Sequence, residues 1–168
     1  MIKAIVYTSN TGFTKRYAKM FAEKTGLALY NINDAKALPK NSEIIYFGWL
    51  FASNVKDYKK AAKRYDVKAL CGVGLCPTGE LLKEVRAATK LPESIPLFTV
   101  QGGMRREELR GINKFMINML VKMLSSKKDA TEEDKAQLEL IQKGGDYVDE
   151  NNLSAIYDWY NEFTLKGE

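Results

Sequence analysis

The residues best suited to bind something stand close to the amino end, in the run Ser9-Asn10-Thr11-Gly12-Phe13-Thr14. An apolar run, Ile2 to Tyr7, with β-branched Ile5 and Val6, precedes it. Behind it Thr14, Tyr17, Ala18, Phe21 and Ala22 recur at helical spacing. The pattern reads strand, hydroxyl-rich loop, helix. The first amides of such a helix have no internal partners and sit at the positive end of its dipole. A loop of Ser, Thr and Gly in front of them suits a phosphate. Gly12 allows close backbone approach, and Ser9, Thr11 and Thr14 add hydroxyl donors. The plainer alternative is a helix N-cap with polar neighbours.

Composition narrows the chemistry. The 168 residues suit one domain, 1–168, with a sizeable core. The chain contains no histidine, which removes Ser-His and Cys-His catalysis and most zinc sites. Neither a Walker-type loop nor a Gly-x-Gly-x-x-Gly loop occurs at the first turn. A phosphoacceptor receiver is disfavoured, because the first strand ends in Tyr7-Thr8 and the third in Gly48-Trp49, without acidic residues. Cys71 and Cys76 fit free thiols in a cytoplasmic protein; a Cys-x4-Cys redox pair is the minor alternative. No signal-peptide pattern opens the chain, and no apolar run approaches the roughly 20 residues of a membrane span. The formal charge of +5 suggests an anionic partner or surface, although a modest surplus often serves solubility alone. No nucleic-acid-reading motif accompanies it, so nucleic acid is not expected as a partner.

The elements that must position the loop follow in order. Leu27 to Ile32 and the continuous apolar run Ile44 to Gly48 read as strands 2 and 3. Val55 to Tyr65 reads as a lysine-rich helix, and Lys68 to Leu75 as strand 4. Thr78 to Thr89 reads as a helix with Thr78 as N-cap, and Pro96 to Val100 as strand 5. Such alternation predicts an α/β fold with a parallel sheet between helix layers. Ligands of open parallel sheets sit beyond the carboxyl ends of the strands. Those ends carry Thr8 to Thr14, Gly48 to Asn54, Gly74 to Thr78 and Gln101 to Arg105.

Ser9, Thr11, Gly12 and Thr14 match Ser/Thr-x-Thr-Gly-x-Thr, and here the chain resembles the flavodoxin family. The resemblance implies a flavodoxin-like three-layer sandwich, a five-stranded parallel sheet of order 2-1-3-4-5, and FMN as cofactor. Carried over residue by residue, Ser9, Asn10, Thr11, Gly12, Phe13 and Thr14 hold the phosphate. Trp49, Leu50, Phe51 and Ala52 form the loop that covers the flavin ring, where aromatic contact is favourable. The alternative for Trp49 and Phe51 is core packing under a helix. Leu75, Cys76 and Pro77 stand at the ring edge, and Gly102 and Gly103 either approach the ring or make a plain turn. Cys71 belongs in the core. Many flavodoxins place a Gly in the ring-covering loop that permits a peptide flip on reduction. Leu50 and Ala52 stand there instead, with Gly48 further back, so that device does not carry over.

The region after strand 5 is longer than one closing helix. Arg110 to Leu124 and Thr131 to Lys143 read as helices, the second with Thr131 as cap, Glu132, Glu133 and Asp134 in its first turn and Gly144-Gly145 as stop. Asn152 to Phe163 reads as the last helix, with Leu153, Ile156, Tyr157 and Tyr160 toward the sheet. Gly102-Gly103-Met104, the basic residues after it and Phe115-Met116-Ile117 resemble the flavodoxin branch that holds bacterial quinone-dependent protoporphyrinogen oxidase. That branch implies electron transfer or a flavin-dependent oxidoreductase, with a redox partner protein or quinone. Propionates of such a substrate would pair with Arg105, Arg106 and Arg110; a solvated basic turn is the alternative. A non-redox regulatory or scaffold module of the same fold is the other function class. The 110–124 helix is apolar over roughly 240° of its circumference, wider than one sheet contact explains. Three readings stay open: cover by the 131–143 segment or a homodimer partner, peripheral contact of residues 105–128 with the inner membrane face, or a hydrophobic substrate lip.

Overall fold

The computed structural model describes residues 1–166, the side chains of Asn113 and Glu133 apart; residues 167 and 168 of the expected domain lie outside that description. β1 (Ala4–Thr8), α1 (Phe13–Thr25), β2 (Ala28–Asn31) and β3 (Glu43–Phe51) come first. β4 (Asn54–Val55), α2 (Tyr58–Ala62), β5 (Asp66–Gly74), α3 (Leu82–Thr89) and β6 (Leu97–Gln101) follow. Parallel pairing gives the order β2-β1-β3-β5-β6, with β4 folded back on β3. This is the doubly wound flavodoxin-like arrangement expected from the sequence, with the strands taken in turn as 2-1-3-4-5.

Strand alternation sorts the core into two layers. Ile5, Tyr7, Ile45, Phe47, Cys71 and Val73 face α1 and the last helix, α6 (Ser154–Lys166). Ala4, Val6, Ile44, Tyr46 and Leu70 face α2 and α3. Cys71 is fully buried in the first layer, which is why its thiol is pushed well above the ordinary range. Leu153, Ile156 and Tyr157 are buried on that face as well, and Phe21 stacks on Tyr157 at 4.8 Å.

Three local readings need correction. The helix expected from Val55 to Tyr65 is only α2, because Val55 pairs with Leu50 as part of a hairpin and Asp57 takes φ 57. Thr78 is not a helix cap. Gly79 has φ +85, a left-handed turn that a right-handed helix cannot contain, and α3 starts at Leu82. Residues 78–80 instead cover the outer edge of β6. Gln101 N donates to Thr78 Oγ1 (3.0 Å), Gly79 N to the Thr99 carbonyl (2.9 Å) and Thr99 Oγ1 to the Glu80 carbonyl (2.7 Å). The last helix begins two residues later than read, after a 3-10 turn over Glu150–Leu153.

The stretch after β6 is an excursion between β6 and α6. It leaves through β7 (Gly103–Met104), runs through α4 (Gly111–Ser126) and α5 (Glu132–Lys143), and returns through β8 (Gly145–Asp146). β7 and β8 pair antiparallel and close its base. Arg16 and Arg105 both pair with Asp146 there, and the Arg105 guanidinium lies 5.0 Å from the centre of the Phe13 ring. Thr131 caps α5 as the sequence predicts, in a reciprocal box with Asp134.

Tyr17 ties these parts together. From α1 its hydroxyl donates to the Gln101 carbonyl (2.5 Å) and accepts from Asn152 Nδ2 (2.7 Å). Tyr17→Phe is expected to cost about 1–3 kcal/mol, since it takes the donor from the Gln101 carbonyl while Asn152 Nδ2 keeps the Tyr147 carbonyl, and a urea-midpoint shift measures it. Burial also raises the phenols of Tyr17, Tyr46 and Tyr157 above their ordinary value near 10, Tyr157 to about 12. A raised folded pKa adds stability that is whole below the unfolded value and lost above it. Stability is therefore expected to fall as pH rises past about 10, and the part of the tyrosinate absorbance due to Tyr17, Tyr46 and Tyr157 is expected to appear together with unfolding.

Candidate functional site

The chain turns four times at the carboxyl edge of the sheet, after β1, β3, β5 and β6, and the four turns meet round one cavity of about 240 Å³. All the residues read from the sequence as cofactor-binding line it except Gly12 and Gly102. Arg105, Arg106 and Arg110, read as partners for propionates, do not line it and bond instead to Glu108 and Asp146, to Asn118 and to backbone carbonyls.

The turn after β1 ends at Gly12, which caps α1 with φ 91 and no side-chain cap. Arg16 N donates to the Gly12 carbonyl (3.0 Å) and opens the helix. The amides before it point out of the helix end by geometry. Beside them lies Ser9 Oγ, buried and without a hydrogen-bond partner. Among the described residues Glu43 Oε2 is the other such atom, but it lies 2.5 Å from the amino group of Met1. Ser9 is thus the one left unsatisfied. A buried hydroxyl without a partner costs about 1–3 kcal/mol, so its position calls for a ligand oxygen. Below it, Thr8 Oγ1 donates to Asp57 (3.2 Å) and lies 3.0 Å from the Tyr46 hydroxyl, which donates to the Lys56 carbonyl (2.8 Å). That chain of contacts pins the end of β1 to the exit of the β3–β4 hairpin.

The Trp49 to Ala52 segment is not the loop read from the sequence. Trp49, Leu50 and Phe51 continue β3, and Ala52-Ser53 makes a two-residue turn with φ 46 and φ 58. The alternation of the strand is what aims them. Trp49 and Phe51 share a face and meet edge to face at 6.2 Å, half-buried. Leu50 points to the other face, into space left by Gly72 and Gly74, where added Cβ atoms would meet it at 3.0 Å and 2.9 Å. Gly48 leaves room for Val55, since a Cβ there would lie 2.5 Å from its side chain.

Leu75, Cys76 and Pro77 supply the third wall. Burial, and next the Glu80 carboxylate, push the half-buried Cys76 thiol up, so it is a poor nucleophile there. Glu80 is the only charged residue on the wall; no lysine or arginine lines it among the described residues. Gly102 is buried under backbone bonds, donating to Gly74 O and accepting from Tyr147 N. Its partner Gly103 does face the cavity, but a Cβ on it would meet the Phe13 ring at 2.6 Å. This pair therefore serves packing of α1 against the β7–β8 ribbon.

The roof was not legible as part of the site. Leu109, Ile117 and Ile141 form a small buried cluster between α4 and α5, with Phe51, Leu75, Met104 and Leu120 against it. Leu109, Ile117, Leu120, Gln137 and Ile141 close the cavity from above. The apolar periodicity of α4 and α5 was the available signal, but it does not say which loops they cover. The result is a narrow apolar slot with a polar, uncharged cradle at one end. Compared with models of known protein families and with characterised proteins, the chain matches none.

Gly103→Ala is expected to lose about 1–3 kcal/mol or more, because its Cβ would meet the Gly145 backbone carbonyl oxygen and the Phe13 ring, whereas Gly12→Ala, with open space around it, loses only the roughly 1–2 kcal/mol of left-handed strain. Urea unfolding of the two variants checks the order.

Proposed function

We propose that the cavity binds FMN and that the protein is a flavin-dependent redox protein, an electron carrier or an oxidoreductase exchanging electrons with a partner protein or a quinone. The observation that carries this reading is Ser9 Oγ, buried without a partner beside the open amino end of α1. A phosphate needs such donors, and the resemblance of residues 9–14 to the flavodoxin loop names the phosphate of FMN. The amides of residues 11–14 with the hydroxyls of Ser9, Thr11 and Thr14 would hold it without a fixed cation. Trp49 and Phe51 would shelter the flat ring, and Leu75 to Pro77 its edge. The bound flavin supplies one- and two-electron transfer, so no side chain has to act as a general base in a chain without histidine. The protein's share is to hold the cofactor, exclude water under the α4–α5 roof and leave one way in for the reactant.

Quenching of flavin fluorescence tests it. FMN is expected to bind with quenching, and riboflavin, which lacks the phosphate, much more weakly. Ser9→Ala is expected to raise the Kd for FMN about ten- to hundredfold while leaving riboflavin binding and the circular dichroism spectrum unchanged. Native-folded protein that leaves FMN fluorescence untouched would sink the reading.

A further inference from the structure

α4 carries a row of large apolar side chains that none of the described residues covers. Ile112 is 72% exposed, Phe115 63%, Met119 57% and Met123 60%. At 100° per residue these positions fall in one narrow stripe along the helix. The opposite side, with Ile117 and Leu124, is buried against α5, so α5 covers only half of the apolar circumference. No helix among the described residues is long and apolar enough to cross a membrane.

Charge says what the stripe meets. Residues 105–128 hold seven basic residues, Arg105, Arg106, Arg110, Lys114, Lys122, Lys127 and Lys128, against Glu107 and Glu108. That surplus equals the formal charge of +5 of the whole chain, so the remaining residues balance. Arg105 is tied to Glu108 and Asp146, and Lys127 to Asp134. Lys114 and Lys122 share the polar stripe of α4, next to the exposed apolar one, and Arg106 lies at its amino end, bonded to Asn118 (3.2 Å). On α5, Glu132 and Glu139 pair within their own helix with Lys135 and Lys143. A helix with an exposed apolar row, a cationic flank and cationic ends is built to lie in a bilayer interface. Phosphate backbones of nucleic acid would use the charge but leave the Phe115 and Met119 side chains in water.

We propose that residues 105–128 dock the protein on an anionic lipid bilayer, with Phe115, Met119 and Met123 entering the acyl boundary and Lys114 and Lys122 at the headgroups. This does not depend on the flavin reading, because docking is read on colourless protein as well.

Vesicle flotation of the full chain is the test, with vesicles of phosphatidylcholine alone and with roughly a third phosphatidylglycerol. The protein is expected to float with the anionic vesicles, at least about tenfold more than with the neutral ones, and to be released by about 0.5 M salt. Phe115→Glu with Met119→Glu is expected to abolish flotation. Lys114→Glu with Lys122→Glu is expected to weaken it roughly ten- to hundredfold, without touching an apolar side chain. Both pairs change exposed positions, and circular dichroism confirms the fold. Two outcomes overturn the proposal. One is absence of flotation with anionic vesicles. The other is a dimer, seen by light scattering, that Phe115→Glu converts to monomer, because the stripe would then meet a second copy.

Discussion

The handedness of parallel crossovers leaves one place on this sheet where the chain cannot cover itself. β1 and β3 lie side by side, yet the connection from β1 goes out to β2 on one side and that from β3 to β5 on the other. Right-handed crossovers then send α1 to one face and α2 to the opposite one. The gap between the two departing turns opens at the carboxyl edge. Everything that makes the cavity useful is set round that gap. Thr8, Tyr46 and Asp57 fix the two lips to each other, and the open end of α1 forms the floor of one of them. The Ser9 hydroxyl, buried and unsatisfied, stands at the edge of that gap.

The α4–α5 excursion converts that open gap into a slot. Its base is fixed by the β7–β8 ribbon and by Asp146, shared between Arg16 of α1 and Arg105. Those are surface ion pairs, each worth at most about 1 kcal/mol, so they orient the excursion more than they hold it. The holding force is apolar: Leu109, Ile117, Leu124 and Ile141 are buried against one another. At about 1.5–3 kcal/mol of transfer energy for each large side chain, that cluster outweighs the ion pairs, before the cost of ordering the segment. A roof with so small a core is the part of the molecule most able to open.

The sheet and the cradle were legible because both are local patterns. Continuous apolar runs such as Ile44 to Phe47 separate buried parallel strands from helices, and a hydroxyl-rich turn between strand and helix is written within six residues. The hairpin at Ala52-Ser53 was not legible. Its turn has two left-handed residues but none of the Asn or Gly that such turns usually carry, so Trp49 to Phe51 looked like loop. Thr78 failed for a related reason. It has the side chain of an N-cap, but the edge of β6, far along the chain, claims it first. The roof contacts of Ile117 and Ile141 with Phe51 and Leu75 are long-range, and periodicity marks a face without naming its partner.

α4 links the inside of the slot to the outside of the molecule. Ile117 and Leu120 line the cavity, while Phe115 and Met119, two and one positions away, face out. A helix moves as a rigid unit on the scale of a turn, so whatever fixes the outer row also fixes the roof. The charge is divided in the same way. Among the described residues the cavity wall holds no lysine or arginine, and the cationic surplus lies wholly on the outer segment. A phosphate bound beside α1 would therefore be held by oriented dipoles at short range, whereas an anionic surface would be met by charges at longer range. Salt, which screens exposed charges over about 8–10 Å, weakens the second far more than the first. The two proposed binding events would be separable by ionic strength although one helix would take part in both.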